Sequence, residues 1–195
     1  DRWWYSWADG TYPTSSWQLI GGNWYHFDGS GYMQTGWLDL GGTWYYLNDG
    51  GDMATGWKNV GGTWYYLNAG GDMATGWKQV GGKWYYLNGG GDMATGWKNV
   101  DGAWYYLNGD GSMAANQWAG NYWLTASGAM ATDGWVDGGK YYVGADGVWI
   151  PNYGQASKDE NVGSDQSVTT AYVGNSSTMK FHVAGCQDEK KIAAA

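Results

Sequence analysis

From Trp17 to Met113 the large apolar residues return on a period of 20. Trp17, Trp37, Trp57, Trp77 and Trp97 form one series. Trp24, Trp44, Trp64, Trp84 and Trp104 form a second, 7 residues behind the first, and Met33, Met53, Met73, Met93 and Met113 a third. Internal periodicity of this length is the signature of a stacked repeat, in which one short unit cannot bury its own apolar surface. In "WKNVGGTWYYLN" two apolar stretches flank Gly61-Gly62, and the same place is held by Gly21-Gly22, Gly41-Gly42, Gly81-Gly82 and Asp101-Gly102. Two-residue hairpin loops require positive φ, which glycine adopts without steric cost. Each unit therefore predicts a β-hairpin, joined to the next by a Gly-rich link such as "NAGGDMAT". A lone hairpin is marginal in water, whereas a stacked one buries both faces.

The turn sets the register. With Gly61-Gly62 at the tip, Val60 stands opposite Thr63, Asn59 opposite Trp64, and Trp57 opposite Tyr66. Side chains alternate along a strand, so Trp57, Asn59, Trp64 and Tyr66 share one face, and Val60, Thr63, Tyr65 and Leu67 the other. In a stack, Tyr65 then faces the paired tryptophans of the hairpin before it, and three rings from two successive units surround one gap. Aromatic faces attract a cation, by about 0.5–2 kcal/mol each, and a quaternary ammonium needs no hydrogen-bond acceptor there. Aromatic stripes in a repeat also serve simply to fill a core.

The period loosens after residue 114. Trp118 follows Trp97 by 21 residues and Trp135 follows Trp118 by 17. The expected organisation is an N-terminal capping half-repeat over 1–16, regular repeats over 17–117, divergent repeats over 118–150, a linker over 151–167, and a small C-terminal segment of unknown role over 168–195. End units of a solenoid must differ from the middle ones to cover exposed faces. In the last segment "VTTAYVG" and "TMKFHVA" predict one extra hairpin around Asn175-Ser176-Ser177.

Composition narrows the class. The 195 residues include 36 glycines, 17 tryptophans and 2 prolines. That much glycine opposes long helices, and that much aromatic side chain opposes disorder. The fold class expected is all-β, a β-hairpin repeat solenoid. A formal net charge of −8 disfavours nucleic acid and favours cationic partners. The single cysteine, Cys186, excludes an intrachain disulfide. No apolar run is long enough to span a bilayer, and no signal peptide is evident. The abrupt ends, "DRWWYSW" and "KIAAA", predict a piece of a longer protein.

The stretch "TGWKNVGGTWYYLNAGGDMATGW" resembles the choline-binding, or cell-wall-binding, repeat of Gram-positive surface proteins and autolysins. The resemblance covers roughly residues 1–150 and is most specific over 17–114. It implies a left-handed β-solenoid, and choline groups of teichoic or lipoteichoic acids held between hairpins. Each cage would take two tryptophans from one repeat and a tyrosine from the next, with a methionine as a further wall. Carried over position by position, the first cage is Trp17, Trp24, Tyr45 and Met33. The second is Trp37, Trp44, Tyr65 and Met53, and the third Trp57, Trp64, Tyr85 and Met73. The fourth is Trp77, Trp84, Tyr105 and Met93. The fifth is Trp97, Trp104, Tyr122 and Met113. Beyond these, Asn121 occupies the second tryptophan's slot, so a cage begun by Trp118 lacks a wall. Lys140 occupies the same slot in the Trp135 unit and would repel a cation. Trp3, Trp4 and Trp7 are left as cap residues. The resemblance further implies a secreted or cell-surface location with non-covalent attachment to the wall, and no cofactor.

Other chemistry is weaker. Asp52, Asp72 and Asp92 recur one unit apart in turn-like sequence and read as solvated turn residues rather than an acid–base pair. Lys58, Lys78 and Lys98 are expected to reach solvent. His26 stands where other units carry tyrosine and reads as a variant aromatic. His182 and Cys186 make at most half of a zinc site, which takes four protein ligands when structural. No catalytic residue and no metal site is expected, so the chain reads as a binding portion rather than an enzyme. Two other readings stay open: a glycan-binding repeat module, since Trp and Tyr also stack on sugars, and a spacer whose rings pack only on one another.

Overall fold

The computed structural model describes residues 3–154 together with two strands further on, Tyr172–Asn175 and Lys180–Val183. The chain divides into two compact units, 1–153 and 154–195. Among the described residues all regular structure is β-strand, with no helix and hence none long and apolar enough to cross a membrane.

The first unit is a series of antiparallel hairpins. Five regular ones pair β1 (Ser16–Ile20) with β2 (Asn23–Phe27), β3 (Gly36–Leu40) with β4 (Thr43–Leu47), β5 (Gly56–Val60) with β6 (Thr63–Leu67), β7 (Gly76–Val80) with β8 (Lys83–Leu87), and β9 (Gly96–Val100) with β10 (Ala103–Leu107). Two shorter ones follow: β11 (Gln117–Ala119) with β12 (Tyr122–Leu124), and β13 (Gly134–Val136) with β14 (Tyr141–Val143), the latter extended by β15 (Trp149–Ile150). The register is the expected one: Val60 pairs Thr63, Asn59 pairs Trp64 and Trp57 pairs Tyr66. At the turn, Gly61 and Gly62 have φ of 59° and 88°, the left-handed pair that matches the twist of the flanking strands.

Each link folds back twice. It pairs first with its own hairpin, Leu67 bridging Met73, and then with the hairpin before, Tyr45 bridging Asp72. Met73 N–H donates to the Trp44 carbonyl at 2.7 Å, and Ala74 N–H to the Tyr66 carbonyl at 2.8 Å. These bonds zip one unit onto the next. Gly71 lies in the link with φ of +86°, and a Cβ there would collide with the Met53 thioether.

The core is a column of aliphatic residues. Leu47, Leu67, Leu87 and Leu107 are 0% exposed, with Phe27, Leu124 and Val143 continuing the column at either end and Ala54, Ala74, Ala94 and Ala114 beside it.

Lys58, Lys78 and Lys98 differ from expectation. They are half-buried, and each reaches back to the preceding unit. Lys58 Nζ donates to Asn48 Oδ1 at 2.7 Å and lies 5.1 Å from the centroid of Tyr46. Asn48 in turn donates to Asp52 Oδ2 at 2.6 Å. Lys78 with Asn68, Asp72 and Tyr66, and Lys98 with Asn88, Asp92 and Tyr86, repeat the arrangement. The recurring aspartates are therefore half-buried members of a hydrogen-bonded chain, not free turn residues. A lysine stem covers apolar surface while its ammonium finds a ring and an amide oxygen; the solvated-face reading missed this because the partner lies a unit away.

The second unit contains β16 (Tyr172–Asn175) paired antiparallel with β17 (Lys180–Val183), Asn175 opposite Lys180. This is the extra hairpin expected, with Asn175 in the first strand rather than in the turn. Its connecting residues 176–179, most of the 151–167 segment, and Cys186 lie outside the described residues.

Candidate functional site

Alternation in a five-residue strand places Trp57 and Trp64 on one face of their hairpin and Tyr65 on the other. Stacking then brings tyrosine to tryptophan across each inter-hairpin gap. Trp17 meets Tyr45 at 5.1 Å between centroids, Trp37 meets Tyr65 at 4.8 Å, Trp57 meets Tyr85 at 4.8 Å, Trp77 meets Tyr105 at 4.8 Å, and Trp97 meets Tyr122 at 5.1 Å. Interplanar angles run from 63° to 76°. The second tryptophan completes the corner: Trp37 and Trp44 are 6.3 Å apart at 81°, Trp57 and Trp64 6.5 Å at 86°, Trp77 and Trp84 6.5 Å at 87°. Rings set nearly at right angles present several faces to one small volume, where stacked rings would present their faces to each other.

Exposure separates these rings from the core. Trp24, Trp44, Trp64, Trp84 and Trp104 are 41–45% exposed. The aliphatic column supplies the dry interior, so the second tryptophans are surplus to core filling.

The fourth wall differs from the expected one by a unit. Trp97, Trp104 and Tyr122 line a cavity of about 340 Å³ together with Met130 and Asp146; Met113 is not among them. Met130 N–H donates to the Trp104 carbonyl at 2.7 Å. The same bond joins Met53 to Trp24, Met73 to Trp44, Met93 to Trp64 and Met113 to Trp84. The methionine beside each tryptophan pair thus comes from the link after the next hairpin: Met53 for Trp17 and Trp24, Met73 for Trp37 and Trp44, Met93 for Trp57 and Trp64, and Met113 for Trp77 and Trp84. The reason is the fold-back of the link onto the preceding hairpin. Each methionine follows the tyrosine of its gap by 8 residues, from Tyr45 and Met53 to Tyr122 and Met130, but the 9-residue spacing from Trp24 to Met33 or from Trp104 to Met113 is equally constant, so spacing alone does not choose between the two assignments.

Met33 accordingly belongs to the amino end. Its N–H donates to the Trp3 carbonyl at 2.8 Å. It lines a cavity of about 400 Å³ with Trp3, Trp4, Tyr5 and Tyr25. At the other end, Trp135 meets Tyr142 at 5.5 Å and Tyr153 at 6.0 Å. Tyr142 and Tyr153 stack at 3.6 Å, and the Tyr142 hydroxyl donates to Asp133, which raises its pKa. Lys140 turns to Asp137, with 3.6 Å between charged atoms.

His26 is buried and takes the tyrosine slot, 5.0 Å from Trp17, with Nδ1 in a 2.5 Å hydrogen bond to Gln34 Oε1. No group of three or more His, Cys, Asp or Glu that could hold a metal occurs among the described residues.

Comparisons with known proteins agree with this architecture. Family models described as choline-binding repeats match residues 14–55, 54–95, 74–118 and 112–149. Three solved structures from Streptococcus pneumoniae are similar. CbpJ is 48% identical with a TM-score of 0.67, the match covering 72% of this chain and 49% of that one. Choline-binding protein F, solved in the presence of a peptidoglycan analogue, is 44% identical with a TM-score of 0.66, covering 72% and 48%. The choline-binding domain of CbpL is 41% identical with a TM-score of 0.61, covering 73% and 80%. The match thus spans about half the length of the first two. No curated protein matches the chain.

Proposed function

The chain belongs to the choline-binding repeat family, and from that membership we propose that it is a non-catalytic cell-wall attachment module. It takes the choline groups of teichoic or lipoteichoic acids into the aromatic corners between successive hairpins. The ligand-contacting side chains are the five tryptophan pairs with Tyr45, Tyr65, Tyr85, Tyr105 and Tyr122, and the methionine that follows each tyrosine.

One observation carries this reading. The interior is an aliphatic column, while the second tryptophan of every regular unit stays two-fifths or more exposed, and Trp44, Trp64 and Trp84 each stand edge-on to the first tryptophan of their hairpin. Such a corner offers π faces to a compact cation and no broad platform to a sugar ring. A trimethylammonium group carries charge without N–H donors, so it loses no hydrogen bond on leaving water.

Each corner alone holds its ligand weakly. A rod of them meeting a polymer with many choline groups gains roughly 10²- to 10⁴-fold from effective concentration alone. Catalysis gives no comparable reason to repeat a site.

The test is a paired titration followed by tryptophan fluorescence and heat. Choline chloride is expected to give a saturable response at millimolar concentration, as follows for a small ligand held by a few contacts of about 1 kcal/mol each. An α-glucan oligosaccharide at equal concentration is expected to give none. A response to the glucan alone would place the chain among glycan-binding repeats.

A further inference from the structure

The gap after Trp118 lacks a second tryptophan, because Asn121 stands in its slot. The gap is nevertheless walled on three sides by rings. Trp118 meets Tyr141 at 5.4 Å and 88°, Trp118 meets Trp149 at 6.5 Å and 64°, and Tyr141 meets Trp149 at 5.9 Å and 86°. These three rings, with Gly120 and Asn121, line a cavity of about 270 Å³, against about 340 Å³ for the corner of Trp97, Trp104 and Tyr122.

Trp149 arrives there by the same backbone device that delivers the methionines. Its N–H donates to the Asn121 carbonyl at 2.9 Å, as Met130 N–H donates to the Trp104 carbonyl at 2.7 Å. Tyr122 bridges Val148 just as Tyr105 bridges Ala129. Trp149 follows Tyr141 by 8 residues, the spacing that each methionine keeps from its tyrosine. An aromatic residue in the methionine register therefore replaces the ring missing from the tryptophan register. The ring count of the gap is the same as in the regular corners, with one wall moved to the opposite side.

We propose that Trp118, Tyr141 and Trp149 form a further binding site for a small quaternary ammonium cation. The site rests on the reading that the regular corners bind such cations. Its walls are mutually edge-on, so three faces reach a tetrahedral head at once. Tyr141 and Trp149 are 37% and 39% exposed, which leaves the mouth open to a ligand tethered on a polymer. Asn121 forms the polar side and faces the end of the ligand that carries a hydroxyl or an ester oxygen. Lys140, the nearest cation in sequence, is held by Asp137. That ion pair offsets the repulsion a free ammonium would exert.

The experiment uses the full chain with 5-fluorotryptophan in place of tryptophan, titrated with choline chloride and read by fluorine NMR. The Trp118 and Trp149 signals are assigned by Trp118→Phe and Trp149→Phe. Both are expected to shift saturably, with a midpoint within about tenfold of the regular corners because the number of ring walls is equal. Trp149→Ala is expected to abolish the shift at Trp118 and leave the shifts at Trp57, Trp64, Trp77 and Trp84 in place. Asn121→Trp restores the standard wall without deleting one, and is expected to tighten the site by roughly threefold or more. If Trp118 and Trp149 stay still at choline concentrations that saturate Trp57 and Trp64, the added site does not exist and the regular corners stand. If no tryptophan signal moves, the underlying reading falls with it.

Discussion

Tyr85 stands edge-on to Trp57, 4.8 Å between ring centroids at 68°, although the two belong to different hairpins 28 residues apart. Neither hairpin forms this aromatic corner by itself; the corner is a property of the stack. Removing one wall should thus weaken one gap and leave the rest intact. Trp64→Ala deletes a ring that is 45% exposed and contributes little to the core. The expected loss at that gap is about 0.5–2 kcal/mol, roughly 2- to 30-fold in affinity. Site-resolved titration checks this, with the cooperative thermal unfolding transition retained. Wholesale unfolding would mean that the rings are chiefly core.

Leu87→Ala should behave in the opposite way. Leu87 is wholly buried in the aliphatic column, and a cavity there costs about 2–5 kcal/mol. Urea denaturation should show a lower midpoint. Choline should partly restore it, because ligand binds only the stacked form.

Gly71→Ala tests the link. The residue has φ of +86°, and a Cβ there would collide with the Met53 thioether. An added methyl meets both a conformational penalty and a clash, and about 1 kcal/mol or more of stability should be lost. Thermal melting reads the effect. Gly62→Ala, equally left-handed but open to solvent, should lose less.

Lys78→Met removes the bond to Asn68, 2.6 Å, and the cation lying 5.3 Å from the Tyr66 centroid. The methionine keeps the packing, so the loss isolates the polar part. About 1 kcal/mol is expected. If the lysines only solvate the surface, the variant will melt with the parent.

Asp110 supplies the pH-dependent case. The Ser112 hydroxyl and N–H both donate to its carboxylate, and Lys83 lies 3.4 Å away. The Ser112 hydroxyl, then its N–H, hold the Asp110 pKa below the ordinary 3.8. As pH falls past 3.8 the unfolded chain binds this proton first. The contribution to stability is therefore full above that value and is lost as pH falls through the folded pKa. Ser112→Ala should raise the Asp110 pKa in a carboxyl-carbon NMR titration and shrink the acid-side loss of stability.

Much of the fold was legible in the sequence because its determinants are local. Gly61-Gly62 specifies a two-residue turn, the turn specifies that Trp57 opposes Tyr66, and strand alternation assigns Tyr65 to the other face. The pairing of Tyr85 with Trp57 follows once hairpins are stacked in order. Lys58 looks like a surface residue in the sequence because its partners, Asn48 and Tyr46, lie in the preceding unit. The gap that each methionine closes, and the place of Trp149, are not legible in the sequence for one shared reason: the link folds back onto the hairpin before it.

The sequence by itself determined the hairpins, their register and the faces on which the tryptophans and tyrosines lie, since turn chemistry and alternation act over a few residues. Only the tertiary structure decided which methionine closes which gap and that Trp149 walls the Asn121 gap. Those outcomes depend on hydrogen bonds such as Met130 N–H to the Trp104 carbonyl and Trp149 N–H to the Asn121 carbonyl. Backbone groups carry no residue identity, so pairing between distant segments leaves no mark in the local pattern.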